Sequence, residues 1–265
     1  MAKLYVSNIC AGYGDKLVLK NVSVAVESGK LTCLCGPNGC GKSTLISVLA
    51  GAVEPGLKIL GGVNKSADSA DTDQIDALEL TKLPRIKAAQ LVSYMQQSEF
   101  STWNFTVKEL VLQGRFCHSK NGSYTAGDEK IALQAMEEMG IADLADRPVH
   151  SLSGGEFQKT RIARAICQSP RFILLDEPSA NLDFVYEPLL LKKLASLAHS
   201  TDTGILVSIH DINAARTCAD DLILLPLLQK PICGTMEQTL TLENLEKTYG
   251  MEFKCQKVNC FQSSL

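Results

Sequence analysis

Nine consecutive residues near the start of the chain have the types and spacing that bind phosphate groups. They are Gly36, Pro37, Asn38, Gly39, Cys40, Gly41, Lys42, Ser43 and Thr44, and the first eight match the pattern G-x-x-x-x-G-K-[ST]. Glycines let successive backbone amides converge on phosphate oxygens, and a helix that follows directs its positive end to the same place. We expect Lys42 to reach the outer phosphates, the Ser43 hydroxyl to bind Mg²⁺, and Cys40 to contribute only its amide.

Two adjacent carboxylates, Asp176 and Glu177, follow the apolar run Phe172–Leu175. Because α/β proteins place ligand-binding groups at the carboxyl ends of their strands, we expect Asp176 to hold Mg²⁺ there. The alternation of side chains along a strand predicts that Glu177 faces the other way, where it can polarise an attacking water molecule. Together with the phosphate-binding loop, the pair predicts a nucleotide site with its own catalytic carboxylate.

A second candidate phosphate site begins at Ser153, which is followed by Gly154, Gly155 and Glu156. Ser153 and Glu156 have the spacing of a capping box, so a purely structural interpretation is open. Two glycines in a first helical turn nevertheless cost about 0.8–1.0 kcal/mol each relative to alanine. Because bare amides at a helix N-terminus attract anions, we interpret this segment as a second phosphate-binding helix end.

The hydrophobic pattern predicts the strands and helices that position these residues. Apolar runs predict strands at Lys3–Ile9, Leu17–Val26, Leu31–Cys35, Gln90–Met95, Phe172–Leu175, Gly204–Ile209 and Leu222–Leu225. Helical periodicity is found at Lys42–Ala50, Val107–Gln113, Glu129–Met139 and from Gly154 onward. The acidic segment Gly61–Leu83 is predicted to be a solvated loop. Strands that alternate with helices indicate an α/β class with a parallel sheet, and the helical middle of the chain indicates an inserted subdomain.

The composition is typical of globular proteins and argues against several functions. Apolar residues make up 45% and charged residues 21% of the chain, so a folded core is expected. The net charge of −3, without a basic run, argues against nucleic-acid binding. No apolar stretch reaches the roughly 18 residues of a membrane span, and no secretory leader is visible. The 10 cysteines are expected to be reduced, with Cys33 and Cys35 buried and no cysteine metal site.

In their order and spacing, these motifs resemble those of the ATP-binding subunits of ABC transporters. The segment Gly36–Thr44 corresponds to the Walker A motif of that family, Phe172–Glu177 to Walker B, and Ser151–Gln158 to the signature motif. The resemblance also assigns four single residues, which are Tyr13 as the aromatic that stacks on adenine, Gln97 as the Q-loop glutamine, Asp183 at the end of the D-loop, and His210 as the switch histidine.

The resemblance implies an α/β fold with a P-loop NTPase (RecA-like) core, an N-terminal antiparallel β subdomain and an inserted α-helical subdomain. Residues 1–265 would form a single ATP-binding domain. Its expected parts are a catalytic core at 1–97 and 166–230, a helical subdomain at 98–165 and a C-terminal extension at 231–265.

The resemblance further implies a mechanism that needs two copies of the chain, ATP and Mg²⁺. Each ATP would lie between the Walker A motif of one copy and the Ser153–Glu156 helix end of the other, so that ATP closes the dimer and hydrolysis opens it. Glu177 would activate the water, and His210 would hold it in line with the γ-phosphate. Gln97 would sense Mg²⁺, whose implied protein contacts are Ser43, Gln97 and Asp176.

Two further stretches resemble one subgroup of importers, which carries iron–siderophore complexes, haem and cobalamin. They are Phe105–Arg115, with the sequence FTVKELVLQGR, and Leu242–Gly250, with the sequence LENLEKTYG. The implied partners are a second copy of the chain, a membrane permease dimer that docks near Gln97–Phe105, and indirectly a substrate-binding protein. The expected location is the cytoplasmic face of the cell membrane, where the permease would hold the chain.

Other functions remain open at this point. Importers of zinc or manganese share parts of the two stretches, an ATPase of iron–sulfur assembly also has a single cassette, and an exporter subunit is a further alternative. Gln96 stands where proline is common, and segment 225–231 replaces a usual Asp-Gly turn, so we expect an irregular final strand pair. The aromatics Phe100, Trp103 and Phe105 fit either a permease contact or core packing.

Overall fold

The computed structural model describes residues 1–52, 55–61, 73–99, 104–120, 122–180 and 186–254. Its strands are β1 (Lys3–Tyr13), β2 (Lys16–Glu27), β3 (Leu31–Cys35), β4 (Leu57–Gly61), β5 (Gln74–Asp76), β6 (Val92–Met95), β7 (Phe172–Leu175), β8 (Gly204–Ser208), β9 (Asp221–Leu224) and β10 (Ile232–Thr235). Its helices are α1 (Lys42–Leu49), α2 (Ala77–Leu80), α3 (Arg85–Leu91), α4 (Val107–Leu112), α5 (Ala126–Met139), α6 (Gly154–Cys167), α7 (Tyr186–Thr201), α8 (Ile212–Arg216), α9 (Met236–Thr239) and α10 (Leu242–Tyr249). Short 3-10 helices cover Gln113–His118, Ala142–Leu144 and Val149–Ser151. Within these described ranges, no helix has both the length and the apolar character needed to cross a membrane.

A six-stranded sheet forms the centre of the molecule. Its strand order is β10-β9-β3-β8-β7-β6, and every neighbouring pair is parallel except β10 with β9. Side chains alternate between two hydrophobic clusters, so that Cys33 and Cys35 belong to one and Leu34 to the other. Both thiols are buried, as predicted, and burial raises the pKa of Cys35 to about 12. The predicted α/β class with a mainly parallel sheet is confirmed.

A second, mostly antiparallel sheet covers one face of the first. β1 pairs with β2 along its length, while its other edge pairs with β5 at Lys3–Tyr5 and with β4 at Ile9–Tyr13. Leu4 and Val6 are at most 1% exposed, because they pack in the hydrophobic cluster to which β3 and α1 also contribute. The long β1–β2 hairpin is thereby fixed next to the loop that leads into α1.

Helices α4, α5 and α6 pack together and contribute to the other hydrophobic cluster. Each of them begins with a capping box, in which a hydroxyl and a carboxylate three residues apart each accept a hydrogen bond from the other residue's backbone amide. The pairs are Thr106 with Glu109, Thr125 with Asp128, and Ser153 with Glu156. These local signals explain why the three helices begin where they do.

The prediction of a solvated loop at Gly61–Leu83 is wrong for the residues that the structure describes there. β4 ends on the first of these residues, and β5 and α2 occupy later ones. β5 pairs with β1, and the Asp76 carboxylate caps α2. Ala77 and Leu80 are buried in the cluster beneath the second sheet, because two apolar side chains are enough to anchor a short element on an existing core. The remainder, 62–72, lies outside the described residues.

Two further predictions about the elements need correction. The strand predicted from Gln90 begins at Val92, because Arg85–Leu91 form α3, and a short apolar run does not show where a helix passes into a strand. The final strand pair, expected to be irregular, has an unbroken antiparallel register between β9 and β10. The unusual residues 225–231 affect only the connection between these strands.

Candidate functional site

The phosphate-binding loop connects β3 to α1, as the sequence predicts. Its backbone is left-handed at Gly39, with φ 77°, and at Gly41, with φ 105°, which would strain any residue that has a side chain. A Cβ at Gly41 would also lie 2.9 Å from a methyl carbon of Val18 in β2. A Cβ at Gly39 would meet no atom of the described residues within 4 Å.

The Lys42 side chain folds over this loop. Its Nζ donates to the carbonyl oxygen of Gly36 at 2.9 Å and to that of Pro37 at 3.3 Å, and the residue is 6% exposed. These neutral acceptors hold the ammonium in place without cancelling its charge. A phosphate that enters the loop would therefore meet a positive charge already positioned to bind it.

Asp176 follows β7 and is 1% exposed. Its Oδ1 accepts a hydrogen bond of 2.6 Å from the hydroxyl of Ser208, at the end of the neighbouring strand β8. The same hydroxyl accepts from the Glu177 amide at 2.8 Å. Ser208 therefore orients both acidic residues, yet it was not among the predicted site residues; its signal in the sequence is a serine inside an otherwise apolar run.

The Glu177 carboxylate meets two of its predicted neighbours. Its Oε1 lies 2.8 Å from His210 Nε2, and its Oε2 accepts from Gln97 Nε2 at 2.7 Å. Strand alternation does not place this residue, because β7 ends at Leu175 and Glu177 has a left-handed φ of 49°. The turn, rather than the strand, separates its carboxylate from that of Asp176. The structure thus brings together three predicted residues that follow β6, β7 and β8.

Ser153 and Glu156 form the capping box at the start of α6, with the Glu156 amide donating to Ser153 Oγ at 3.3 Å and the Ser153 amide donating to Glu156 Oε2 at 2.7 Å. Hydrogen bonds from the Ser153 backbone and hydroxyl lower the pKa of Glu156. Ser153 and Gly154 line a cleft together with residues 97–99. Within one chain, this helix end therefore lies beside the segment after β6, and the described lining of the cleft does not include the phosphate-binding loop.

The remaining predicted residues are placed less directly. Tyr13 ends β1, in the hairpin whose second strand packs against Gly41. Tyr13 pairs with Lys16 at the tip of this hairpin. Asp183 lies outside the described residues, and so do Phe100 and Trp103.

Two buried polar residues on α6 were not among the predicted site residues, although one of them, Gln158, ends the segment that resembles the signature motif. Gln158 and Arg161 are each 3% exposed and bond to backbone groups beside Gln97 and Glu177. Their signal in the sequence is a pair of polar residues three positions apart on a helix face that is otherwise apolar. That signal is ambiguous without the fold, because the same spacing also occurs on solvated helix faces.

The described residues fit a nucleoside triphosphate with Mg²⁺. This ion takes oxygen ligands and is commonly held by one or two protein groups together with substrate phosphates. The Ser43 hydroxyl at the start of α1 and the buried Asp176 carboxylate are oxygen donors of this kind. Among the described residues, no group of three or more His, Cys, Asp or Glu could hold a metal ion.

Known proteins are similar in sequence to nearly the whole chain. The sequence profile of the family described as "ABC transporter" matches residues 19–180. The petrobactin import ATP-binding protein YclP of Bacillus subtilis is 32% identical over 254 residues, which cover 96% of this chain and 95% of that protein. The iron(3+)-hydroxamate import ATP-binding protein FhuC of the same organism is 31% identical over 253 residues, which cover 95% of this chain and 89% of that protein.

A solved structure extends the likeness to three dimensions. A chain of a metal-chelate type ABC transporter in an inward-facing conformation superposes with a TM-score of 0.74 at 26% identity. The superposition covers 95% of this chain and 90% of that one. Because the family profile spans more than half of the chain, and the relatives match it almost from end to end, the chain belongs to the ABC transporter family as one of its ATP-hydrolysing subunits.

Proposed function

We propose that this chain powers the import of an iron complex (a siderophore or haem complex) or of cobalamin, through a separate membrane permease. The two relatives named for petrobactin and iron(3+)-hydroxamate import support this class of cargo. The observation that carries the hydrolytic role is the Glu177 carboxylate, which is held between Gln97 and His210 at the ends of adjacent strands.

The groups around the phosphate-binding loop would hold the nucleotide. The amides of Gly36–Thr44 and the Lys42 ammonium would bind the phosphates, and the Tyr13 ring would stack on adenine. When bound, Mg²⁺ supplies charge neutralisation and orientation of the phosphates. Its proposed protein contacts are Ser43, Asp176 and Gln97.

Glu177 is the proposed general base for the attacking water. A base works only within hydrogen-bond reach of the proton that it takes, so its orientation must be fixed before the reaction. Both carboxylate oxygens of Glu177 already have partners on either side, at Gln97 and His210. We propose that His210 also holds the γ-phosphate in line with the water, so that one side chain positions both reactants.

The helix end at Ser153 is proposed to act on a second copy of the chain. In one chain it lies in a cleft with residues 97–99, while Gly154 is exposed and Gly155 half-buried. Exposed amides at a helix N-terminus attract phosphate. In a head-to-tail pair, Ser153–Glu156 and Asp183 of one copy would close over the nucleotide of the other, and loss of the γ-phosphate would release them.

The permease is proposed to dock near Gln97–Phe105, at the side of the cleft beside α6 that residues 97–99 form. The lining of this cleft combines charged and apolar side chains, including Glu99, His150 and Leu152. In the proposed division of the chain, the core at 1–97 and 166–230 and the helical subdomain at 98–165 meet here, with 231–265 as an extension. A permease bound at this cleft would hold the chain at the cytoplasmic face of the cell membrane.

Hydrolysis and transport can be tested together with one pair of variants. Glu177→Gln keeps the shape of the side chain but cannot take a proton, so it should lower kcat about 100-fold or more while ATP still binds. Lys42→Ala should weaken ATP binding instead. In cells that lack the chain, the wild type should restore uptake of radioactive iron from a siderophore or haem complex, and Glu177→Gln should not.

The control is Glu243→Gln, the same change on the exposed side of α10, which should leave turnover and uptake unaltered. A polytopic permease should co-purify with the chain from membranes. Turnover of Glu177→Gln near the wild-type level would contradict the role of this carboxylate. Loss of zinc or manganese uptake without loss of iron-complex or cobalamin uptake would contradict the cargo class.

A further inference from the structure

Two buried polar side chains on α6 make contacts that none of the roles above uses. Gln158 and Arg161 are each 3% exposed, so their hydrogen bonds must be satisfied inside the protein. Gln158 Nε2 donates to the carbonyl oxygens of Pro178 at 3.0 Å and of Glu177 at 3.4 Å. Its Oε1 accepts from Arg161 Nη1 at 2.8 Å. Both ends of the Gln158 amide are therefore in use, one of them on the backbone of Glu177.

Arg161 extends these contacts to the segment that follows β6. Its guanidinium donates to the carbonyl oxygens of Gln96 and Gln97 and to Glu99 Oε2 at 3.3 Å. Arg164, on the next turn of α6, adds two bonds to the same carboxylate at 2.8 and 2.6 Å. Burial raises the pKa of Glu99, but the hydrogen bonds and charge of Arg164 and Arg161 outweigh it and lower the pKa, so Glu99 anchors the segment to α6 as a carboxylate.

These hydrogen bonds form a closed ring that runs through Glu177, Gln97, Arg161 and Gln158. The Gln97 side chain donates to Glu177 Oε2 at 2.7 Å, and the Gln97 carbonyl oxygen lies 3.5 Å from Arg161 Nη1. Gln158 completes the ring between Arg161 and the Glu177 backbone. The φ of 49° at Glu177 is unfavourable for a residue with a side chain, and such a conformation persists only where its surroundings hold it. A shift of α6 therefore alters the backbone and the carboxylate of Glu177 together.

We propose that Gln158 and Arg161 are positioning residues through which α6 sets the Glu177 carboxylate of the same chain. This inference rests on the proposed function. In the head-to-tail pair, the first turn of α6 contacts the nucleotide of one site, while Gln158 holds the general base of the other. Contact at one nucleotide then orders the carboxylate at the second, which couples hydrolysis at the two sites.

Gln158→Leu tests this role in the full chain bound to its permease. Leucine nearly keeps the volume but loses all three side-chain hydrogen bonds of Gln158, so kcat should fall about 10- to 100-fold. KM and the Kd for a fluorescent ATP analogue should stay within about threefold of wild type, because the phosphate-binding loop is untouched. Gln134→Leu, the same change at an exposed position of α5, should leave kcat unchanged. A kcat of Gln158→Leu within about twofold of wild type would overturn the proposal, and so would an equal loss of affinity.

A double variant distinguishes positioning from a purely structural role. If Gln158 acts through the Glu177 carboxylate, Gln158→Leu should change the single-turnover rate of Glu177→Gln by less than about twofold. Equal fold losses in both backgrounds would overturn the proposal.

If Gln158→Leu fails to fold, Gln158→Glu replaces it as the test. The glutamate keeps the contact with Arg161 but places an oxygen against the Pro178 carbonyl oxygen, so its kcat should fall by a similar factor. An unchanged kcat of Gln158→Glu would overturn the proposal. An inactive wild-type complex would overturn the proposed function, whereas an active wild type with equally active variants overturns this inference alone.

Discussion

At the residue scale, the site depends on hydrogen bonds that reach from the end of one strand to the next. Ser208 joins the Asp176 carboxylate to the Glu177 amide, and His210, just beyond it, reaches the Glu177 carboxylate. A buried carboxylate needs such donors because the loss of water disfavours its charged form. The two acidic residues are therefore held by the end of β8 and the residue His210 beyond it as much as by the strand that precedes them.

Ser208→Ala should weaken both stability and catalysis. Removal of the hydroxyl leaves the Asp176 carboxylate without this donor and the Glu177 amide without this acceptor, which should lower the free energy of unfolding by about 1–3 kcal/mol. ATP turnover should fall as well, because the hydrogen bonds that orient Asp176 and Glu177 are lost. Urea unfolding and steady-state turnover measure the two effects. Ser200→Ala, on the exposed side of α7, is the control and should stay within about 0.5 kcal/mol; an equal loss there would contradict the assignment.

At the element scale, Gly114 and Arg115 connect the 3-10 helix Gln113–His118, in which they lie, to α5 and α6. Gly114 lies so close to α6 that a Cβ would be 2.4 Å from the Arg164 carbonyl oxygen. Arg115 donates to Asp128 of α5 at 2.9 Å and to the Cys167 carbonyl oxygen at the end of α6 at 3.1 Å. The glycine permits the approach and the arginine secures it, which gives this part of the importer-like stretch a structural explanation.

Gly114→Ala should therefore destabilise the chain by about 1–3 kcal/mol, because the added methyl meets backbone atoms of α6 that cannot move independently. The matched control is Gly127→Ala in the first turn of α5, where a Cβ would contact the Thr125 hydroxyl at an ordinary 3.5 Å and, outside the helix backbone, no other atom of the described residues. This second change should stabilise the chain by about 0.5 kcal/mol, because it removes backbone freedom from the unfolded state. Thermal or urea unfolding that ranks the two variants in the opposite order would contradict the close approach.

At the scale of the whole molecule, an ion-pair network joins the two sheets. Glu27, at the end of β2, accepts from Lys3 of β1 at 2.6 Å and from Lys30 at 2.8 Å. Lys30 also reaches Asp221 of β9 in the central sheet at 3.1 Å. The hydrogen bonds from Lys3 and then Lys30 lower the pKa of Glu27 from 4.5 to about 2, so the connection between the sheets depends on an ionised carboxylate.

Glu27→Gln should lower the free energy of unfolding by about 1–2 kcal/mol at pH 7. Because the pKa of Glu27 is lower in the folded state, this contribution is complete above pH 4.5 and is lost as the pH falls toward 2. Urea unfolding curves of the wild type and the variant should therefore converge over that range. Glu243→Gln should show no such convergence, since Glu243 has no salt bridge in the part of the chain that the structure describes. A difference for Glu27→Gln that stays constant from pH 7 to pH 3 would exclude the network as its cause.

The site residues that could be predicted from their own chemistry are those whose partners are local, whereas Gln97 and His210 were predicted only through the family resemblance. Lys42 and the glycines before it lie within one short segment, and Ser153 and Glu156 are one helical turn apart. Ser208 and Gln158 could not be found in this way, because each is a single polar residue whose partners come from distant segments. The loop prediction for Gly61–Leu83 was wrong for the same reason, since pairing with β1 and burial on the core decide the structure of its described part.

The sequence by itself determined the phosphate-binding loop between a buried strand and a helix, the order of the motifs, and the α/β class, because these depend on spacing and hydrophobic pattern along the chain. Only the tertiary structure decided that Gln97 and His210 hold the two oxygens of Glu177 and that α6 reaches the backbone of that residue. Such contacts depend on the left-handed turn after β7 and on the packing of helix against sheet. Their positions depend on the packing of many buried residues that are far apart in the chain, and a local sequence pattern gives no information on that packing.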